Sequence, residues 1–241
     1  MDIKQLLIKT LPVIPDDIKY KIHKANITLT SFENKNEILY NVDLQNEVGI
    51  AKFEDGTYLV SMVCPMPNIT ADMISWWFWW HAQESIRYQV WYPNSHIKIK
   101  FHKKDKSYFK CKDYQNFVPN TQYPTEKIGR MKMPLRIDFK TPEEFGFDSK
   151  IMNDNNIHKI VCGHVGVFNN IIKHTEMTHI FKQTENGLFL ISRFWLGKFM
   201  NNKLLKKLII NKKMAIDMAI HCCIEYRNLV EILPVLYNEY K

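Results

Sequence analysis

His221 and Glu225 stand four residues apart in the most helical part of the chain, among Met214, Met218, Cys222, Leu229, Leu233 and Leu236. These positions form one stripe of an amphipathic helix whose apolar members face a core. A histidine and a carboxylate one turn apart project from one face, the spacing at which a helix offers two ligands to one ion. A carboxylate buried in such a stripe needs a cation or a proton. Two readings are open: a metal pair, or a Glu225 paired with a sheet Arg or Lys beside a His221 bonded to a backbone carbonyl.

Five of the six tryptophans fall in one block, Trp76-Trp77-Phe78-Trp79-Trp80-His81 through Arg87-Tyr88-Gln89-Val90-Trp91-Tyr92-Pro93-Asn94-Ser95-His96. Such a block fills a core corner or walls a cavity for a flat apolar ligand. Four tryptophans spread around one helix cannot all face a cavity, so a clamp between the N-terminal segment and a sheet is the other reading. His96 follows a Pro-Asn-Ser turn, which holds a ligand or catalytic group rigidly. His164 and His179 lie in neighbouring strand candidates, and alternation could point both inward; a structural role is the alternative. Ser85, Ser95 and Ser192 lack a nucleophile-elbow context, and no glycine-rich phosphate loop is present.

The elements that must position these residues are legible in outline. Short helices are expected at 6–11 and from Pro15-Asp16-Asp17 toward His23, with acids in the first turn. Residues 48–54 and 57–64 alternate around Asp55-Gly56, a hairpin signal. Thr70 caps the tryptophan helix. Strands are expected at 97–102, 107–111, 131–139, 158–168, 175–183 and 188–196, in an antiparallel order because the connections are too short for crossovers. A long helix over 203–233 follows, ended or kinked by Pro234. A curved antiparallel sheet followed by a long helix is the α+β order of a START-like helix-grip fold, with a small N-terminal helical segment (1–45) before the main domain (46–241).

With 241 residues, 46% of them hydrophobic and 24% charged, the chain has core to spare. No apolar run reaches the roughly 18–20 residues of a membrane span, and the N-terminus lacks a signal-peptide pattern; a cytoplasmic protein is expected. Five cysteines without a CxxC fit reduced thiols. The net charge of +8 carries no sequence readout by itself. The densest basic stretch, Lys98 to Lys112, reads as a solvated strand pair and loop.

Taken together, the tryptophan block, Arg87-Tyr88-x-x-Trp91-x-Pro93-x-x-His96, Glu126-Lys127-Ile128-Gly129, Ser192-Arg193-Phe194-Trp195-Leu196-Gly197 and His221-x3-Glu225 resemble, in the same order, the diacetylphloroglucinol and phloretin hydrolase family. The resemblance covers roughly residues 45–240. It implies a metal-dependent hydrolase that cleaves the carbon–carbon bond between a polyphenol ring and an acyl group. It also implies a divalent ion, zinc first, held by His96, Glu126, His221 and Glu225. Tyr88 matches a tyrosine beside the substrate, and His179 a histidine near a strand turn. Tyr88, Glu126, His179 and His164 are then the candidates for proton transfer, and Trp77, Trp80, His81 and Trp91 for the substrate walls. The family usually carries Trp-His-Pro where Trp91-Tyr92-Pro93 stands, and the N-terminal region is short. Both departures bear on the substrate more than on the metal.

Two other classes compete. A START-like carrier of an apolar aromatic or lipid molecule has no use for two histidines and two carboxylates converging on one point. A nucleic-acid module requires basic and aromatic residues on one exposed face, against the buried character of the tryptophans. The expected partner is a small aromatic ketone, with no nucleic acid and no membrane; homo-oligomerisation is left open.

Overall fold

The computed structural model describes residues 2–111, 113–167 and 172–241. Its sheet holds β1 (Gly49–Lys52), β2 (Tyr58–Pro67), β3 (His96–Lys98), β4 (Thr121–Gln122), β5 (Thr125–Ile128), β6 (Met131–Lys140), β7 (Ile157–Val167), β8 (Ile172–Thr184) and β9 (Gly187–Leu196). Every pairing is antiparallel, in the order β1-β2-β9-β8-β7-β6-β5-β3, with β4 beside β6.

Period-two alternation sorts the two faces. In β9, Leu188, Leu190, Phe194 and Leu196 join the core that holds the tryptophans and the long C-terminal helix. Phe189, Ile191 and Trp195 belong to a second cluster with Ile38, Leu39, Phe145 and Phe147. The N-terminal segment covers that outer face: the Trp195 indole donates to the Thr30 carbonyl at 2.9 Å, and the buried Arg193 guanidinium donates to the Leu44 carbonyl. The hairpin turns through Gly56 at φ +86°, a conformation that favours glycine. The Thr70 hydroxyl accepts from Met73 N–H at 3.2 Å and starts the tryptophan helix, Ala71–Trp80.

Several expectations are corrected. Residues 107–111 are not a strand: Lys106–Lys110 is a short helix preceded by a 3-10 turn, so the basic stretch is not a solvated strand pair. Phe109 is buried in the core and Tyr108 packs against it, adjacent residues that a strand would send to opposite faces. The strand expected at 97–102 shrinks to His96–Lys98. The C-terminal helix is two helices, Lys203–Ile209 and Lys212–Tyr240. Ile210 is extended between them, and the Asn211 side chain caps the second by accepting from Met214 N–H at 3.0 Å. Pro234 neither ends that helix nor stops it short of Tyr240; it forfeits one hydrogen bond, while Leu233 and Leu236 on either side are fully buried. Lys112 and the strand end expected at residue 168 lie outside the described residues. Among the described residues no helix is long and apolar enough to cross a membrane.

Candidate active site

Three elements carry the site. The first is the turn after the short helix Ser85–Gln89. Asn94 adopts φ +69°, a left-handed conformation that asparagine tolerates, and Ser95 and His96 both donate their N–H to the Tyr92 carbonyl, at 3.0 and 2.9 Å. The turn thereby delivers His96 into β3, where it pairs directly with Glu126 of β5. The long helix is the third element and supplies His221 and Glu225.

Three bonds lock turn to helix. The Asn228 amide donates to the Val90 and Trp91 carbonyls at 3.0 and 2.9 Å, and the Trp91 indole donates to the Glu225 carbonyl at 3.0 Å. Both donor groups are buried, so each bond is made where water cannot replace it.

The result is convergence. His96 Nε2 lies 3.2 Å from His221 Nε2 and 3.4 Å from Glu225 Oε2, and His221 Nε2 lies 3.7 Å from Glu225 Oε2. One ligand atom from each of these residues falls within 4.8 Å of the others. Glu126 stands beside this group, its Oε2 3.8 Å from His221 Nε2 and its Oε1 accepting the Tyr88 hydroxyl. The Tyr88 ring lies flat on His96, centroids 4.1 Å apart.

Hydrogen bonding sets the tautomer of His96. Its Nδ1 is 3.2 Å from the Tyr88 carbonyl, which can only accept, so Nδ1 carries the proton and the Nε2 lone pair faces the cluster. Burial pushes His96 well below the ordinary imidazole range, with neighbouring His221 adding to it, and holds His221 at about 4. Burial raises Glu225 well above a normal carboxylate, reinforced by Glu126, and raises Glu126 to about 7 against the opposing Tyr88 hydrogen bond. Without a cation these four groups are driven toward neutrality, a strong displacement for two histidines and two acids in one place.

A largely apolar cavity opens on the group. Tyr88, Glu126, His221 and Glu225 line it together with Phe78, His81, Trp91 and His179. His81, held at about 4 by burial, bonds through Nδ1 to the Trp77 carbonyl at 2.7 Å. His179 Nδ1 is 2.8 Å from the Ser192 hydroxyl, and burial holds it at about 3. The free volume is about 70 Å³, roughly half that of an apolar cavity of about 150 Å³ that takes benzene. Met133, Met177 and Met218 in its lining are flexible side chains that can move to enlarge it.

Three expected residues lie elsewhere. His164 faces the outer side of the sheet: β7–β8 register pairs it with Glu176, whereas Val161 pairs with His179 on the cavity side. His164 Nδ1 bonds the Glu176 carboxylate under the Phe145 ring. Trp77 and Trp80 are buried but do not line the cavity. Trp77 packs edge-on to Trp91 from behind, and Trp80 stacks on Trp76 beneath the Arg87 guanidinium. Conversely, His174, Thr175 and Gln122 line the cavity without having been singled out in the sequence. Thr175 shares strand parity with Met177 and His179, whereas its neighbour His174 has the opposite parity and lies beside a register shift of β7–β8. Tyr92 sets its ring 4.9 Å from that of His221.

Residues 29–238 match the family model described as DAPG hydrolase PhiG domain. The 2,4-diacetylphloroglucinol hydrolase of Pseudomonas protegens is 28% identical over 239 residues, covering 88% of this chain and 75% of that protein. The phloretin hydrolase of Eubacterium ramulus is 29% identical over 225 residues, covering 87% and 78%.

Proposed function

The chain belongs to the family of the DAPG hydrolase PhiG domain, and on that premise we propose that it hydrolyses the carbon–carbon bond between an acyl group and a polyhydroxylated aromatic ring. The observation that carries this reading is the meeting of His96, His221 and Glu225 beside the bonded Tyr88–Glu126 pair, at the wall of an aromatic cavity. The antiparallel sheet closed against the long helix supports the description START-like helix-grip.

The donor set fits a divalent ion, zinc first. Two imidazole Nε2 atoms 3.2 Å apart, one of them fixed as a lone pair, face each other with a buried carboxylate beside both. Among the described residues no Lys or Arg lies within 4.0 Å of Glu225, which removes the salt-bridge reading of its burial. Nitrogen and oxygen donors suit a catalytic zinc. His96, His221 and Glu225 would hold it, with Glu126 as the fourth ligand. When bound, such an ion supplies Lewis acidity and lowers the pKa of a water from about 15.7 toward 7.

The chain's own residues handle the protons. Glu126, only loosely held as the fourth ligand and bonded to Tyr88, accepts a proton from the attacking water. A carbon–oxygen bond forms at the acyl carbon and the bond to the ring breaks, its electron pair passing to the ring carbon. The Tyr88 hydroxyl protonates that carbon and regains a proton from Glu126, to which it is already bonded. Ketone and water thus give a carboxylic acid and the deacylated ring. His81 and His179, both neutral, serve as hydrogen-bonding walls, and the surrounding aromatic side chains exclude bulk water.

The test is acid release from acetylphloroglucinols and phloretin, with and without chelator. Activity is expected to vanish on chelation and return with zinc. Turnover that survives both chelation and His221→Ala overturns the mechanism. Inactivity on those compounds by a metal-loaded protein overturns the choice of substrate.

A further inference from the structure

A second, smaller chamber adjoins the cavity. Phe78, Gln122 and Phe139 line both, so these side chains are a partition and not an outer wall. On the concave face of β7 the residues run Val165, Gly163, Val161, Lys159. Val165 lines the first chamber, and Val161 and Lys159 line the second. Val161 pairs with His179, and Lys159 lies two residues further along, about 7 Å at the usual strand rise.

Lys159 is the feature that needs explaining. Its ammonium lies 5.7 Å over the Phe117 ring, and among the described residues no carboxylate lies within 4.0 Å of it. The polar neighbours are already engaged: Gln122 donates to Asn120 at 3.1 Å, and Asn120 donates to the Val118 carbonyl at 2.9 Å. Burial alone lowers the lysine's pKa, with no anion nearby to restore it. An aromatic sleeve ending in one unpaired cation matches a ligand with an apolar body and an anionic end. The first chamber, with His174, Thr175 and His179, has the polar groups that ring hydroxyls require.

We propose that the second chamber receives the acyl arm of the substrate, and that Lys159 selects arms ending in a carboxylate. The proposal rests on the reading of the first chamber as the hydrolytic site and names its substrate class: acylated polyphenols with an acidic tail. Free volume there is about 10 Å³, so the tail enters by displacing Tyr114 and Phe117, which lie on a stretch without helix or strand.

Binding is measured first, with compounds that cannot be hydrolysed because a methylene replaces the ketone: 5-(2,4,6-trihydroxyphenyl)pentanoate against pentylphloroglucinol. The native chain is expected to bind the carboxylate at least about tenfold more tightly. Lys159→Met should abolish that preference while leaving pentylphloroglucinol affinity within about threefold, and Lys159→Arg should retain it. A native chain that shows no preference, or a Lys159→Met chain that keeps it, overturns the proposal. The corresponding ketones then report turnover. Charge-selective binding without acid release condemns the hydrolytic reading alone, whereas acid release from both ketones with equal KM condemns the lysine subsite alone.

Discussion

His96 and His221 are 125 residues apart in sequence, yet their Nε2 atoms lie 3.2 Å apart in a region sealed from solvent. With the His96 lone pair directed inward, the facing His221 nitrogen must bring a proton or share a cation with it. Glu225 lies 3.4 Å from the first and 3.7 Å from the second, completing the donor set that we propose holds a cation.

Glu225→Gln keeps the volume and removes the charge that a cation requires. The expected result is loss of the divalent ion with an unchanged circular dichroism spectrum. Metal-free, the variant should be at least as stable as the metal-free parent, since a buried carboxylate has been replaced by a neutral amide. Elemental analysis and thermal melts check both. A variant that keeps its ion and loses several kcal/mol of stability restores the salt-bridge reading.

Tyr88→Phe removes the hydroxyl bonded to Glu126 and leaves the ring stacked on His96. If that hydroxyl protonates the ring carbon, kcat should fall by about 10²–10⁴ with KM within a few-fold. Steady-state kinetics on the best substrate decides. A rise in KM at constant kcat would assign Tyr88 to substrate binding instead.

Asn228→Ala cuts both bonds from the long helix to the Val90–Trp91 backbone. Two carbonyls are left without their buried donor, at a cost of about 1–3 kcal/mol. The turn carrying His96 also loses its anchor, so metal affinity should fall although Asn228 touches no ligand atom. Urea midpoints and zinc titration measure the two effects, and a stable variant with parental zinc affinity would show that the Trp91 indole bond suffices.

His174 gives the pH dependence a defined sign. Burial lowers it from 6.5 to about 4. The folded state therefore resists the proton that the unfolded chain accepts, so the stability tied to its neutral form is complete above pH 6.5 and is lost as pH falls toward 4. The loss amounts to about 3 kcal/mol at about 1.4 kcal/mol per pH unit. In His174→Asn, the slope of unfolding free energy against pH over this window should fall by about one proton. An identical slope would show that His174 is charged in the fold.

The sequence alone determined part of the element order and the His221–Glu225 pair, because those signals are local. Asp55-Gly56 makes a hairpin, Thr70 starts a helix, and His221 and Glu225 share a helical face wherever that helix lies. The family resemblance pointed to His96 and Glu126; their direct pairing in β3–β5 was not legible in the sequence. Tertiary structure decided what local signals leave degenerate. Strand parity sent His164 outward while His179 turned inward, since a one-residue difference in register reverses a side chain. Packing decided which tryptophans touch the cavity: Trp91 does, whereas Trp77 and Trp80 brace it from behind, because a helix ringed with indoles must bury some of them against its neighbours. The helix at Lys106–Lys110 and the break at Ile210–Asn211 were settled the same way, by where Phe109 and the capped long helix had to meet a core assembled from distant parts of the chain.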